Sequence, residues 1–310
     1  MATDPTSTSR PGLPPYIVVF GPSGNCTLDL CPVQYSVYGY RPNLAANVIF
    51  TLLFSIAFFV HLWMGIKGKN WFFMAMMLVG TFSAVLGYIA RCLMYNNPFN
   101  FVTFMIQLLG IGVAPVWYTA AIYVTLSATI KYLSTSFSRF PPKFIYWIFI
   151  PCDMFSLVFQ AVGTGLSARS SGDTQIGVSL ALFGLAFQLF TIVMFCTLFT
   201  DYLIRYVRSG HSAKLGWRVK AFLSGLAFAT LLIALRSAYR VYELRDGFRG
   251  TSLREEAPFI GIEGVVVVLA IYSLMVGHPY FAFGDQTRGA HQLEGEDLRQ
   301  LTIGERNRNR

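Results

Sequence analysis

Five charged side chains fall inside or beside apolar stretches of this chain. Arg236, Arg240 and Glu243 stand at offsets of zero, four and seven residues, which places them on one helical face. Glu263 lies a few residues into the next apolar stretch, and Arg91 stands at the outer end of an earlier one. A charge inside a membrane costs about 2.5 to 3.5 kcal/mol on insertion scales unless a partner, a wet cavity or snorkelling offsets it. Two interpretations stay open: the group lines a water-accessible cavity, or it pairs only to lock helices together.

A second polar face lies in an earlier apolar stretch. Asp153, Ser156, Gln160 and Gly163 follow at offsets of zero, three, seven and ten residues and therefore share a face. Gln188, in the next stretch, is expected at similar depth. A carboxylate near the membrane midplane is a functional candidate by default. Asp153 can equally be protonated and held by structural hydrogen bonds.

Metal and cofactor chemistry are not predicted. The four histidines fall at or beyond one side of the membrane, without metal-ligand spacing: His61, His211, His278 and His291. Cys92, Cys152 and Cys196 are interpreted as packing residues. The sequence holds no Walker loop, HExxH, nucleophile elbow or Rossmann glycine pattern. We therefore expect no enzymatic activity, and an intramembrane hydrolase is disfavoured.

The composition is that of a membrane protein, with 54% hydrophobic residues, 13% charged residues and a mean hydropathy of +0.52. Seven apolar stretches are long enough to cross a hydrocarbon core of about 30 Å as helices. We place them at 43–66, 71–90, 103–130, 144–168, 175–200, 220–242 and 257–283. The predicted fold is an all-α membrane protein with seven transmembrane helices.

Loop charges predict the orientation. One set of loops carries Lys67, Lys69, Lys131, Arg139, Lys143, Arg205, Arg208, Lys214, Arg218 and Lys220. The opposite loops carry Arg91, Arg169, Arg245, Arg249 and Arg254. By the positive-inside rule the amino terminus is outside and the carboxyl terminus is cytosolic. The net charge of +9 is then explained mainly as an orientation signal, without a nucleic-acid partner.

The chain divides into three predicted segments: an extracellular tail (1–42), a transmembrane domain (43–283) and a disordered cytosolic tail (284–310). In the first tail, Asn25 begins a glycosylation sequon, and Cys26 and Cys31 can form a disulfide in an oxidising compartment. Both features agree with an outside location.

Small residues and a proline shape the predicted bundle. Gly163, Gly165, Gly177 and Gly184 are expected to allow close helix approach. Pro115 can kink the third helix.

Several motifs in order resemble the fungal lipid-translocating exporter family, also called RTA-like. They are YGYRPNLAANVIF at 38–50, GYIAR at 87–91, APVWYTAAIY at 114–123, DMFSLVFQAVGTGL at 153–166, GLAFQ at 184–188, RSAYRVYE at 236–243, Glu263, and HP at 278–279. The chain departs from the family pattern at Ala84, Val267 and Ala270, where acidic or tyrosine residues are usual. These departures put any cargo contact or proton coupling through those positions in doubt.

The resemblance implies seven helices and transport of, or resistance to, sphingoid long-chain bases, amino-sterols or similar amphiphiles at the plasma membrane. One branch of the family is associated with porphyrin uptake. A cationic headgroup can meet Glu263, Glu243 or Asp153. On our hypothesis Glu263 recognises it, and Arg236 and Arg240 keep the acid ionised or engage phosphate. Asp153, Gln160 and Gln188 continue the polar path inward. The alternative is a seven-helix receptor or sensor that signals through the basic segment 201–219; the protein partners are not predicted.

Overall fold

A computed structural model of the chain describes residues 17–19, 21–133, 141–169, 175–209, 216–245, 247 and 254–280. Seven helices in these ranges are long and apolar enough to cross a membrane. They are α1 (Leu44–Gly68), α2 (Trp71–Met94), α3 (Phe101–Leu133), α4 (Pro142–Arg169), α5 (Gln175–Arg208), α6 (Trp217–Leu244) and α7 (Glu256–Val276). The described ranges contain no strand, and the predicted all-α, seven-helix class is confirmed.

The seven helices form a closed ring in chain order. Each helix packs against the next one, α7 returns to α1, and α3 also reaches across to α6. Large apolar side chains such as Ile49, Phe59 and Trp63 are exposed, which is expected when the surrounding solvent is lipid. We call the end where α1 begins the amino-terminal side; α2, α4 and α6 end there.

Two predicted boundaries were wrong. The last stretch was expected to continue to 283, but α7 ends at Val276 because Gly277 caps it and Pro279 cannot continue it. The segment 201–219 was expected to be a loop. It is helical over 201–208, where an Asp201–Arg205 pair at 3.1 Å stabilises a solvated turn, and again from Trp217.

Glycines allow α4 and α5 to pack closely. A Cβ added to Gly163 would lie 2.3 Å from the backbone of Ala181, and one added to Gly184 would lie 2.7 Å from the Ser156 carbonyl. The expectation was wrong for Gly165, where an added Cβ would meet open space. Helices in lipid gain van der Waals contact from such close approach. The polar face of α4 therefore packs against α5.

The three departures from the family pattern all lie in the interior. Ala84 on α2 and Val267 and Ala270 on α7 are buried among apolar side chains of the main core. Their apolar side chains need no hydrogen-bond partner there.

His211 and the predicted cytosolic tail lie outside the described residues. The division into three segments stays a prediction.

Candidate functional site

Four of the predicted residues form one chain of ion pairs, which we call the ionic cluster: Arg236, Arg240 and Glu243 on α6 and Glu263 on α7. Arg236 donates from Nε and Nη2 to Oε2 of Glu263, at 3.1 and 2.8 Å. Arg240 donates from Nη1 to Glu243 at 2.5 Å, and its Nε lies 3.5 Å from Oε1 of Glu263. The Arg236 and Glu263 side chains are each 1% exposed, and Arg240 is 13% exposed. Glu263 therefore joins both arginines.

Neighbouring helices fix this cluster in place. Arg236 also donates from Nη2 to the backbone carbonyl of Ile111 on α3, at 3.3 Å. Glu263 stands in a π-helical segment of α7, Phe259–Val266, a conformation that is frequent at functional sites. Its own carbonyl accepts from the Tyr88 hydroxyl of α2 at 2.9 Å. The cluster thus ties four helices together.

Arg91 forms a separate site at the amino-terminal side. Its Nη2 donates to the Tyr40 hydroxyl at 2.9 Å and lies 4.0 Å from a carboxylate oxygen of Glu256. The guanidinium also stacks over the Phe259 ring, 3.7 Å from its centroid, and faces Tyr38 at 5.0 Å. Among the described residues no hydrogen bond or ion pair joins Arg91 to the four cluster residues, so it stands apart from the group in which it was predicted.

The segment before α1 covers this end of the bundle. The Tyr38 hydroxyl donates to the side-chain oxygen of Gln107 on α3 at 2.6 Å. Burial raises the pKa of Tyr38 to about 12, so the hydroxyl stays protonated near neutral pH. Further back, Cys26 and Cys31 are joined in a disulfide. Asn25 is exposed, and its side chain accepts from the amide of Val18.

Asp153 is the centre of a hydrogen-bonded node between α3, α4 and α5. Its carboxylate accepts from Thr119 and Tyr123, both at 3.0 Å, and from Thr191 at 2.7 Å. Two turns along α4, Gln160 donates to the side-chain oxygen of Gln188 at 2.9 Å. Within the described residues no hydrogen bond or ion pair links Asp153 to the ionic cluster, so the predicted polar residues form two groups.

A small cleft lies between these two groups. Its walls come from α3 and α4 and its floor from α5 and α6, and it has a volume of about 30 Å³. Gln160 and Thr164 of α4 and Arg240 of α6 are its polar lining residues; the rest of the lining is apolar or glycine. The cleft places a side chain of the ionic cluster beside the polar face of α4.

Sequence reasoning missed most of the hydroxyl partners: Tyr38, Tyr40, Tyr88, Thr119, Tyr123 and Thr191. Tyrosines in membrane helices usually anchor the chain at the interface, and single threonines carry no signal. APVWYTAAIY was quoted as a motif, and it contains two of the Asp153 partners.

Buried histidines also lie apart from the polar groups. The His61 ring of α1 and the His278 ring after α7 stack with centroids 6.1 Å apart, and Phe73 packs against both. The described part of the chain contains no cluster of three metal-ligating side chains.

The fold and these groups define an integral membrane protein of seven helices with a buried ionic cluster. The family described as RTA1 like protein matches residues 77–286, which include every residue of that cluster. The chain belongs to this family.

The similar proteins include three from Saccharomyces cerevisiae. The sphingoid long-chain base transporter RSB1 of strain Lalvin EC1118 is 28% identical over 83% of this chain and 77% of its own length. Protoporphyrin uptake protein 1 is 29% identical over 64% of this chain and 66% of its own length. Protein RTM1 is 28% identical over 64% of each chain. No solved structure matches the chain.

Proposed function

We propose that this protein translocates cationic amphiphiles of the sphingoid long-chain base type across the plasma membrane and so confers resistance to toxic members of that class. The observation that carries the proposal is the ionic cluster, which holds Arg236 and Glu263 almost wholly out of solvent inside a membrane-spanning bundle. Charges inside membranes mark substrate paths. The name of the similar long-chain base transporter supports the same class of cargo.

Glu263 is the proposed headgroup ligand. Both hydrogen bonds from Arg236 to Glu263 go to Oε2, while Oε1 accepts no hydrogen bond from the described residues. An ammonium group brings three donors and a positive charge. It would replace the long 3.5 Å contact between Oε1 and Arg240 with a short, charge-assisted bond. Arg236 stays paired with the other carboxylate oxygen, and Glu243 retains Arg240.

The inward path is proposed to run from the cluster along Gln160 and Gln188 to Asp153. Gln160 and Arg240 both line the cleft, so a headgroup leaving the cluster meets the glutamine pair next. Asp153 lies two turns further along α4. The proposal assigns no catalytic step to any of these residues and no cofactor.

The proposed orientation has the amino terminus outside and the carboxyl terminus cytosolic, from the excess of basic residues on the opposite loops. In this orientation the ionic cluster and Arg91 belong to the outer half of the membrane.

The test is movement of a fluorescent sphingoid base between leaflets of liposomes that contain only this protein. We expect the wild type to flip the lipid, and both Glu263→Gln and Asp153→Asn to lose most of that activity. Glu255→Gln is the control, because Glu255 is an exposed carboxylate at the start of α7. Equal flipping by the wild type and both variants would contradict the assigned residues. Binding without flipping would contradict transport and favour the sensor alternative.

A further inference from the structure

The cleft between α3 and α4 has a polar inner end and an apolar mouth. Arg240, Gln160 and Thr164 contribute the polar lining, whereas Leu109 of α3 and Ala161 of α4 line the cleft and are themselves exposed. In a membrane-spanning bundle the exposed side of such helices faces acyl chains. A polar group carried on an alkyl chain can therefore approach Arg240 from the side, without leaving the membrane.

The size of the cleft limits what enters it. A volume of about 30 Å³ is roughly twice what one water molecule needs in a cavity, so the cleft holds a small polar end such as a hydroxyl with a neighbouring amine. It does not hold an alkyl chain. The chain of an amphiphile would have to stay outside, along the apolar mouth, with only its polar end inserted.

Two of the three polar side chains, Arg240 and Gln160, specify the chemistry of that end. Arg240 offers N–H donors only. Gln160 commits an amide hydrogen to Gln188 at 2.9 Å, and its carbonyl oxygen is an acceptor. A hydroxyl can accept from Arg240, and a neighbouring amine can donate to Gln160.

We infer that this cleft is a lateral binding site through which a single-chain amino alcohol reaches the ionic cluster from the lipid. The inference deepens the proposed function and rests on it: the alkyl chain lies in the bilayer against α3 and α4, and the hydroxyl and amine insert between Arg240 and Gln160.

Gly112 gives a way to close the site. It lines the cleft on α3, and a Cβ added to it would meet nothing within 4 Å. A leucine there would extend from this open position into the mouth of the cleft. Gly165 on α4 is the matched control, because it also meets open space and is exposed, but does not line the cleft.

The experiment uses purified full-length protein in liposomes with sphingosine that carries a photoactivatable diazirine in its alkyl chain. We expect adducts on α3 and α4 that unlabelled sphingosine competes away. Gly112→Leu should lower them about tenfold, equivalent to about 1.4 kcal/mol of binding. Gly112→Ala should have a small effect, and Gly165→Leu should behave as wild type.

Adduct formation tests the lateral binding site, whereas lipid flipping tests the proposed transport. Unchanged adducts in Gly112→Leu, or an equal loss in Gly165→Leu, would overturn the assignment of the cleft as the binding site, even if the wild type flips lipid. Adducts in the cleft that depend on Gly112, in a protein that does not flip lipid, would support the binding site and overturn transport.

Discussion

Arg236 donates to the backbone carbonyl of Ile111 at 3.3 Å, and the sequence of α3 explains why that carbonyl is available. In an α-helix it would accept from the amide four residues later, at position 115. That residue is Pro115, which has no N–H and lies inside α3. The proline therefore supplies a free acceptor at the depth of the ionic cluster, and an arginine of α6 uses it. A residue predicted to bend a helix thus also anchors a charge.

The ionic cluster should tolerate loss of a whole pair better than loss of one partner. Its two arginines and two glutamates balance, so Arg236→Met or Glu263→Met alone leaves one unpaired buried charge. Each single variant should lose about 3 to 5 kcal/mol of stability. The double variant is neutral again and should lose less than the sum. Thermal unfolding in detergent measures both.

The exposed Asp201–Arg205 pair of α5 is the matched control for this double-mutant cycle of Arg236 and Glu263. Arg205→Met should change stability by no more than about 0.5 kcal/mol, because surface pairs of this spacing are weak. Additive losses in the Arg236 and Glu263 cycle would contradict energetic coupling between them.

Thr191→Val and Asp153→Asn distinguish the contribution of the Asp153 hydrogen bonds to stability from a role of the carboxylate in transport. Thr191→Val removes one hydrogen bond and keeps the carboxylate, so it should cost about 1 to 2 kcal/mol of stability and leave flipping intact. Asp153→Asn replaces one acceptor oxygen with an amide nitrogen and should reduce both stability and flipping. Unfolding curves and the liposome assay on the same preparations measure the two effects. Normal flipping by Asp153→Asn would show that the node only braces the helices.

Helix periodicity made the ionic cluster predictable. Offsets of four and seven residues put Arg236, Arg240 and Glu243 on one face, and depth alone matched that face with Glu263. Apolar length likewise predicted all seven helices. The end of α5 could not be obtained in this way, because a helix can continue into water past Asp201 wherever polar side chains stabilise the extra turns.

The partners of these residues were harder to predict. Tyr38 and Tyr40 reach Gln107 and Arg91 from an irregular segment whose path no periodicity describes. No pattern in the sequence indicates the π-helical turn Phe259–Val266, although this turn determines where the Glu263 side chain lies. Prediction from sequence therefore identified charged side chains well and neutral hydroxyl partners poorly.

The disulfide should stabilise the covering segment before α1. It closes a loop of five residues' separation, for which the chain-entropy estimate is about 2 kcal/mol. We expect Cys26→Ser with Cys31→Ser to increase proteolysis of that segment, with little change in unfolding of the helices. Limited proteolysis followed by mass spectrometry measures this. A reducing agent should reproduce the effect in the wild type and add nothing in the double variant; an effect of equal size in both would show that another target is responsible.

Glycosylation at Asn25 provides a test of the proposed orientation. The transferase acts on the lumenal side, so a glycan at Asn25 requires the amino terminus to be outside, and the exposed side chain is accessible there. Expression in a eukaryotic host should give a band shift that a glycosidase removes. Asn25→Gln and Thr27→Val should both abolish the shift, while Thr27→Ser should keep it because serine preserves the sequon. Equal mobility of the wild type and Asn25→Gln, together with modification of an introduced sequon after α7, would reverse the orientation. It would then place the ionic cluster in the inner half of the membrane, where a headgroup would first meet it from the cytosolic leaflet.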